Sequence, residues 1–222
     1  MLACSKLSKT YMTERGPVEA VKGIDLDLPG GGFTALVGAS GSGKSSLLAM
    51  IGGLSRPTRG MVLVGDINIW ALPDERLAHF RNCRIGFVFQ FPSLLPTLRI
   101  IDNVTLPALL AHGQNSAAVY QRASELLDRL GVSQYLNAYP AEISAGEQRR
   151  AVIARALINA PTLLLADEPT SDVDAVTEGE IMEQFRELTR TDAMTLIMVT
   201  HNLRLAEEAD RIIHIADGSL VT

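Results

Sequence analysis

The sequence is poor in cysteine and in basic charge, and each shortage narrows the possible functions. Among its 222 residues it has two cysteines, Cys4 and Cys83, and no Cys-x-x-Cys pair. A disulfide framework and a cysteine-based metal site are therefore disfavoured, and a reducing compartment is the default. The net charge of −5 and the pI of about 5.4 argue against nucleic acid as the main partner, because phosphate-backbone binding requires a basic face.

The sequence also lacks a membrane-spanning run and contains little lysine. No window reaches the ~18 uninterrupted apolar residues of a membrane helix, so work at a membrane would require a partner. The lysines are Lys6, Lys9, Lys22 and Lys44. The absence of lysine after Lys44 excludes a downstream N-K-x-D motif that reads guanine, and with it a GTPase of the common type. With 47% hydrophobic residues, the chain can form a single domain over residues 1–222 with a full core.

Apolar runs alternate with helical patterns along most of the chain. Examples are FTALVG before KSSLLAMIGGL, and TLLLADEP before AVTEGEIMEQFRELTR. Short apolar strands that are each followed by a helix predict an α/β fold with a mostly parallel sheet covered on both faces. The opening runs LACSKLSKTYM and AVKGIDLDL have no helix between them and predict antiparallel strands joined across the turn-rich TERGPVE. Residues 92–140 have helical spacing and no strand, which predicts a helical subdomain inserted into a core of residues 1–91 and 141–222.

A phosphate-binding loop is predicted at Gly38–Ser45, which matches G-x-x-x-x-G-K-[ST] between a strand and a helix. Glycines let successive backbone N–H groups surround an oxyanion. We expect Lys44 to reach the β- and γ-phosphates and Ser45 to place its hydroxyl on Mg²⁺. The nucleotide-binding residues predicted here are Gly38, Ser40, Gly41, Ser42, Gly43, Lys44, Ser45 and Ser46.

Polar side chains follow three of the other predicted strands. Asp167 and Glu168 end TLLLADE, Gln90 follows RIGFVF, and His201 follows TLIMVT. Ligands bind at the carboxyl ends of strands in open α/β sheets, so Asp167 is predicted to hold Mg²⁺ and Glu168 to act as general base. Gln90 is predicted to touch Mg²⁺ and the attacking water, and His201 the γ-phosphate. Each of these two could instead be a polar cap at a strand end.

Two further features fit nucleotide chemistry less directly. Tyr11 precedes the phosphate-loop strand and could stack on a purine, or equally be an aromatic residue of the hairpin. The segment Ile143–Arg150, ISAGEQRR, predicts a helix that Ser144 caps and where Gly146 permits close approach. Its N-terminus is a potential second anion site, although the chain already has one in the phosphate loop.

The motifs GASGSGKSS, VFQ, ISAGEQRRAVIARAL, LLLADEPTS and VTHN together resemble an ABC-transporter ATP-binding subunit in order and spacing, over essentially the whole chain. The resemblance implies a P-loop NTPase core with an antiparallel β region and a helical subdomain. It also implies Mg·ATP hydrolysis by a head-to-tail homodimer, in which Ser144, Gly146 and Glu147 contact the ATP bound by the other copy. The loop ending at Asp174 would cross the same interface.

The chain departs from the family pattern at five positions. The usual L-S-G-G-Q signature has Ile143, Ala145 and Glu147 here, and Asp172 and Val173 stand where Ala and Leu are common. Ala145 would be strained only if its position required a positive φ. The predicted catalytic residues Lys44, Gln90, Glu168 and His201 are all present. We therefore expect these departures to affect the rate of hydrolysis rather than whether hydrolysis occurs.

A finer resemblance, carried by SLLPTLRIIDNVTLPALL, is to the branch that serves lipoprotein release, macrolide export and antimicrobial-peptide resistance. It implies an integral membrane permease subunit as partner, export or extraction of a lipophilic or peptide substrate, and a place at the cytoplasmic face of the inner membrane. A coupling helix of that subunit would dock near Phe91–Asn103, on Phe91, Leu94 and Leu95. These three residues could instead only pack the insert.

Three other functions compete with transport. A non-transport ABC ATPase that regulates a membrane partner, as in cell division, would share every motif above. A DNA-repair ABC ATPase would need long coiled-coil arms between the nucleotide motifs, where this chain has short elements without heptads. A P-loop kinase would leave the ISAGEQRR helix unexplained.

Overall fold

The computed structural model describes residues 1–112, 116–191 and 194–221; residues 113–115, inside the predicted insert, lie outside the described part. The strands are β1 (Leu2–Thr13), β2 (Gly16–Leu28), β3 (Gly32–Val37), β4 (Arg59–Val64), β5 (Ile67–Asn68), β6 (Ile85–Val88), β7 (Leu163–Asp167), β8 (Thr195–Thr200), β9 (Arg211–Ala216) and β10 (Ser219–Val221). The helices are α1 (Lys44–Ile51), α2 (Asp74–Arg84), α3 (Ile100–His112), α4 (Ser116–Arg129), α5 (Ala145–Leu157), α6 (Ala175–Thr191) and α7 (Leu203–Ala206).

The larger sheet has the order β10-β9-β3-β8-β7-β6 and is parallel except at the β9–β10 hairpin. Its register aligns the carboxyl ends of the central strands, because Val37 pairs with Thr200 and Asp167 pairs with Val199. The residues that follow β3, β7 and β8 therefore emerge at one edge. This confirms the predicted mostly parallel α/β core.

The N-terminal region is an antiparallel sheet of order β2-β1-β4-β5. The prediction of two antiparallel strands is confirmed, but the predicted loop between them is longer than the one in the structure. Thr13 pairs with Gly16, so the turn is reduced to Glu14 and Arg15 and most of TERGPVE lies in strands. The sequence interpretation missed β4, β5 and α2.

The core lies on both faces of the parallel sheet. Alternate residues of β7 point to opposite sides, so Leu163 and Leu165 join the cluster against α1 and the antiparallel sheet. Leu164 and Ala166 join the cluster formed with α3, α4, α5 and α6. Continuous apolar strands are expected when both faces of a sheet are buried.

The helical insert packs on this second cluster through α3 and α4. The fully buried Asn103 fixes its entry loop, since its Oδ1 accepts from the Leu95 N–H at 2.7 Å. Its Nδ2 donates to the carbonyls of Leu95, Leu98 and Arg99 at 3.0–3.1 Å. No helix within the described residues is both long and apolar enough to cross a membrane.

Candidate active site

A cavity of about 380 Å³ lies at the carboxyl edge of the parallel sheet. Four separate segments contribute to it: the loop after β3, the segment after β6, the end of β7 and the end of β8. Its lining residues are Ser40, Gly41, Lys44, Ser45, Gln90, Asp167, Glu168, Val199 and His201. All except Val199 are residues that the sequence predicts at the site.

The phosphate loop has the backbone that its glycines predict. Gly41 has φ +77° and Gly43, the residue before α1, has φ +104°, both in the region that favours glycine. A Cβ on Gly43 would lie 2.2 Å from the Ala20 carbonyl oxygen, so that position has no room for a side chain. The loop is thus held against β2, with its N–H groups at the N-terminus of α1.

Lys44 is almost entirely buried, with 7% exposure. Its ammonium group donates to the carbonyls of Gly38 and Ala39 at 2.9 and 2.8 Å. Ser42, which is also buried, lies 3.5 Å from the same group. The cation therefore lies within the turn of the loop, where an oxyanion would bind.

Ser45, Asp167 and Gln90, from three segments of the chain, line the cavity and carry side-chain oxygens. Burial is the largest influence on the Asp167 carboxyl and raises its pKa above 3.8, and the neighbouring Glu168 charge raises it further. A hydrogen bond with Ser45 and the Lys44 charge lower it in part. Hydroxyl, carboxylate and amide oxygens are ligands that suit Mg²⁺, and a buried carboxylate disfavoured in its ionised form gains from a cation.

Glu168 lies directly after β7 in the left-handed region, at φ 45°. Its N–H donates to the Val199 carbonyl at 3.0 Å, which ties it to β8. Its Oε1 lies 2.7 Å from Nδ1 of His201, and the buried Thr200 hydroxyl lies 3.4 Å from its Oε2. A glutamate with positive φ is uncommon, and such strain persists where surrounding structure over-determines it, as at active sites.

Gln90 lies two residues beyond the end of β6 and lines the cavity. Its backbone carbonyl accepts a 2.7 Å hydrogen bond from Arg149, and the Phe89 carbonyl accepts one of 2.6 Å from the same guanidinium. The sequence interpretation missed Arg149, because an arginine doublet in a helix indicates a solvated face. It also missed Thr200.

Tyr11 of β1 lies beside α1, where its hydroxyl is 3.4 Å from Ser46 Oγ. Lys9 stands over the ring at 5.0 Å from its centroid. Burial raises the pKa of the Tyr11 hydroxyl. Hydrogen bonds with Ser46 and Ser55, together with the Lys9 charge, outweigh burial and leave that pKa below its ordinary value. Tyr11 as a whole is 39% exposed, so part of the residue is accessible to a ligand.

The N-terminus of α5 lies outside the cavity. Ser144 is exposed and forms a capping box: the Glu147 N–H donates to its Oγ at 3.3 Å, and its own N–H donates to Glu147 Oε2 at 2.7 Å. A hydrogen bond with Tyr135 is the main cause that lowers the pKa of Glu147, and the Ser144 contacts add to it. Ala145 has no positive φ, so this departure from the family signature causes no backbone strain.

Gly146 and Asp174 both lie close to Thr177, in the first turn of α6. A Cβ on Gly146 would lie 2.7 Å from Thr177 Cγ2. Asp174 accepts from the N–H groups of Val176 and Thr177 at 3.0 and 3.1 Å and from the Thr177 hydroxyl at 2.7 Å, and these bonds lower its pKa. Asp174 is therefore the cap of α6, and neither residue lines the cavity of its own chain.

Comparisons with known proteins agree with this geometry. The chain is 44% identical over 221 residues to the lipoprotein-releasing system ATP-binding protein LolD of Geobacter metallireducens, covering 100% of the chain and 98% of that protein. It is 42% identical over 219 residues to the macrolide export ATP-binding/permease protein MacB of Rhodopirellula baltica, covering 98% of the chain but 32% of that protein.

A solved structure has the same fold over the whole chain. It is the dimeric post-hydrolysis state of the ATP-binding cassette MJ0796 bound to ADP and Pi, with a TM-score of 0.93, 36% identity, and coverage of 100% of this chain and 97% of that one. The family model for ABC transporters matches residues 21–171. The chain therefore belongs to the ABC transporter family and is one of its ATP-hydrolysing cassettes.

Proposed function

We propose that the chain hydrolyses Mg·ATP as a head-to-tail homodimer and powers a separate integral membrane permease. The observation that supports this proposal is that the N-terminus of α5, a potential anion site, is exposed and does not line the cavity of its own chain. A helix end with Ser144 and Gly146 and no phosphate of its own is complementary to the phosphate loop of a second copy. The dimer named for the similar MJ0796 cassette supports this pairing.

Each residue of the cavity has a distinct role in this proposal. Lys44 leaves the carbonyls that it contacts and neutralises the β- and γ-phosphates. Ser45, Gln90 and Asp167 hold Mg²⁺, which supplies charge neutralisation on the phosphate oxygens. The Glu168 carboxylate accepts the proton of the attacking water.

His201 is proposed to contact the γ-phosphate and to orient Glu168. With Nδ1–H donating to Glu168, the Nε2 side of the ring remains for the cavity. Once the phosphate leaves, the contacts that joined the two copies weaken and the dimer opens. ATP binding thereby closes the dimer, and ATP hydrolysis opens it again.

The permease is proposed to dock in a groove of about 610 Å³ between α2, α3 and the segment after β6. Its rim is apolar and exposed: Phe89 is 41%, Leu95 44% and Leu110 74% exposed, and all three line the groove. Of the residues expected there from the sequence, Leu95 lines the groove, Phe91 is 71% exposed outside its lining, and Leu94 packs against the core. An apolar cytoplasmic helix of a membrane protein fits such a surface.

The relatives, rather than the cavity, support a proposal for the substrate class. The similar LolD and MacB proteins are named for lipoprotein release and macrolide export. We therefore propose that the permease holds this chain at the cytoplasmic face of the inner membrane, and that the chain powers export or extraction of a lipophilic or peptide substrate.

The groove can be tested by co-expression with the membrane protein of the neighbouring reading frame. Leu110→Glu should abolish co-purification and the permease-stimulated ATPase rate while the basal rate remains. Leu203→Glu, at a 60% exposed leucine on α7, is the matched control and should behave as wild type. Retention of both properties by Leu110→Glu would place the permease elsewhere.

A further inference from the structure

Arg149 is a fully buried cation beside the segment that carries Gln90. Its side chain is 1% exposed, in the first half of α5. Its two Nη groups donate to the carbonyls of Phe89 and Gln90 at 2.6 and 2.7 Å. Among the described residues its Nε has no hydrogen-bond partner. A buried charge is costly unless it is compensated, so this arginine needs its neighbours.

Asp172 provides the compensating charge. Its Oδ2 lies 3.8 Å from Nη2 of Arg149, in the segment between Glu168 and the cap of α6. Burial lowers the pKa of Arg149, and the Asp172 charge raises it. The Asp172 side chain is itself 55% exposed, so the ion pair matters mainly to its buried partner. This gives a reason for one departure from the family pattern, the aspartate where alanine is common.

The adjacent Arg150 shows what an ordinary arginine does on this helix. It donates from Nη1 to Glu180 Oε2 of α6 at 2.9 Å, a helix-to-helix ion pair remote from the cavity lining. Arg149 differs because it joins α5 to two other segments. These are residues 89–90, through their carbonyls, and the loop between Glu168 and Asp174, through Asp172.

We propose that Arg149 is a positioning residue for hydrolysis and that Asp172 is its counter-charge. The guanidinium fixes the Gln90 segment and the loop before Asp174 relative to α5, so that the end of α5 and the Gln90 side chain keep one relative position. The proposal deepens the proposed function and rests on it for the catalytic effect. The fixed position of residues 89–93 is a consequence that does not depend on ATP hydrolysis.

The test compares Arg149→Gln, Asp172→Asn, Asp172→Glu and the control Arg150→Gln. In the nucleotide-free chain, hydrogen exchange of residues 89–93 should accelerate in Arg149→Gln and Asp172→Asn but not in Asp172→Glu or Arg150→Gln. In ATPase assays Arg149→Gln should lose about tenfold in kcat with the KM for ATP within about twofold, because positioning affects the transition state more than binding. Asp172→Asn should also lower kcat, because it removes the counter-charge of Arg149, whereas Asp172→Glu should keep the wild-type kcat.

Unchanged exchange in Arg149→Gln, or a kcat loss in Asp172→Glu equal to that in Asp172→Asn, would overturn the proposal. Should Arg149→Gln fail to fold, the two Asp172 variants decide, since their side chain is more than half exposed. A wild-type chain without ATPase activity would refute the proposed function. The hydrogen-exchange measurements would still test whether the Arg149–Asp172 ion pair fixes residues 89–93.

Discussion

Glu168 Oε1 and His201 Nδ1 lie 2.7 Å apart at the ends of neighbouring strands β7 and β8. Glu168 is the proposed proton acceptor, and His201 is the proposed contact of the γ-phosphate. Glu168 has a strained backbone, at φ 45°, and lines the cavity. This geometry makes Glu168 the first residue to test.

Glu168→Gln should lower kcat by about 10²- to 10⁴-fold, because it removes the general base but leaves the site's shape intact. ATP binding should remain, and the ATP-bound dimer should accumulate in sedimentation or gel filtration. Glu207→Gln changes an exposed glutamate directly after α7. It serves as the control and should keep the wild-type rate. Wild-type turnover by Glu168→Gln would refute the base assignment.

Gly43→Ala and Gly41→Ala should differ sharply, although both residues have positive φ. At Gly41 a Cβ meets nothing within 4 Å, so the change should cost only the conformational strain of about 1–2 kcal/mol. At Gly43 the Cβ would collide with the Ala20 carbonyl, so the loop must shift and ATP affinity should fall much further. Thermal unfolding and nucleotide titration check this, and equal losses for both variants would contradict the described loop.

Tyr11→Ala should weaken ATP binding, and Tyr11→Phe should not. Stacking of a base on an aromatic ring is worth about 1–3 kcal/mol, so the alanine variant should raise the Kd roughly 5- to 150-fold. The hydroxyl contact to Ser46, at 3.4 Å, is too long for a strong hydrogen bond, and its loss should matter little. Titration with ATP and with inorganic triphosphate separates the two contributions, since triphosphate binding should be equal in all three proteins. An unchanged ATP affinity in Tyr11→Ala would leave Tyr11 as a hairpin aromatic.

Asp167→Asn should stabilise the nucleotide-free chain at neutral pH and abolish Mg²⁺-dependent turnover. Burial raises the pKa of Asp167 above 3.8, so the folded chain holds this proton more tightly than the unfolded chain. The wild type therefore loses stability as pH rises through the raised folded pKa, and the neutral amide escapes that loss. The variant's Tm should exceed the wild-type value at pH 7, and the difference should shrink towards pH 4. A lower Tm of the variant at pH 7 would show that the ionised carboxylate is stabilising without Mg²⁺.

The sequence predicted what short-range patterns determine. The phosphate loop, the Asp167–Glu168 strand end and the cap at Ser144 each depend on residues within one turn or strand, and the parallel sheet brings several of them together. The missed strand β4 begins with RGM, whose first residues are exposed, so its apolar pattern is weak. Helix α2 is predominantly polar, with Leu77 as its buried residue, and so lacks an apolar stripe.

Contacts between distant segments could not be predicted in this way. The Arg149 contacts with Phe89 and Gln90 span about sixty positions, and only folding shows that this arginine faces inward. The resemblance to ABC ATPases implied an interface loop ending at Asp174, and the structure adds a local role for this residue, as the cap of α6.

The most direct measurement of the shared site is ATPase complementation between two inactive variants. One chain carries Glu168→Gln, and the other carries Ser144→Asp, which retains a good helix-capping residue but places a carboxylate against the partner's γ-phosphate. The chains are mixed without nucleotide and ATP is then added. A head-to-tail dimer gains one site with intact Glu168 from one copy and intact Ser144 from the other, so the account predicts a rate well above the sum of the separate variants. A rate equal to that sum would show that each chain completes its own site, and would contradict the account.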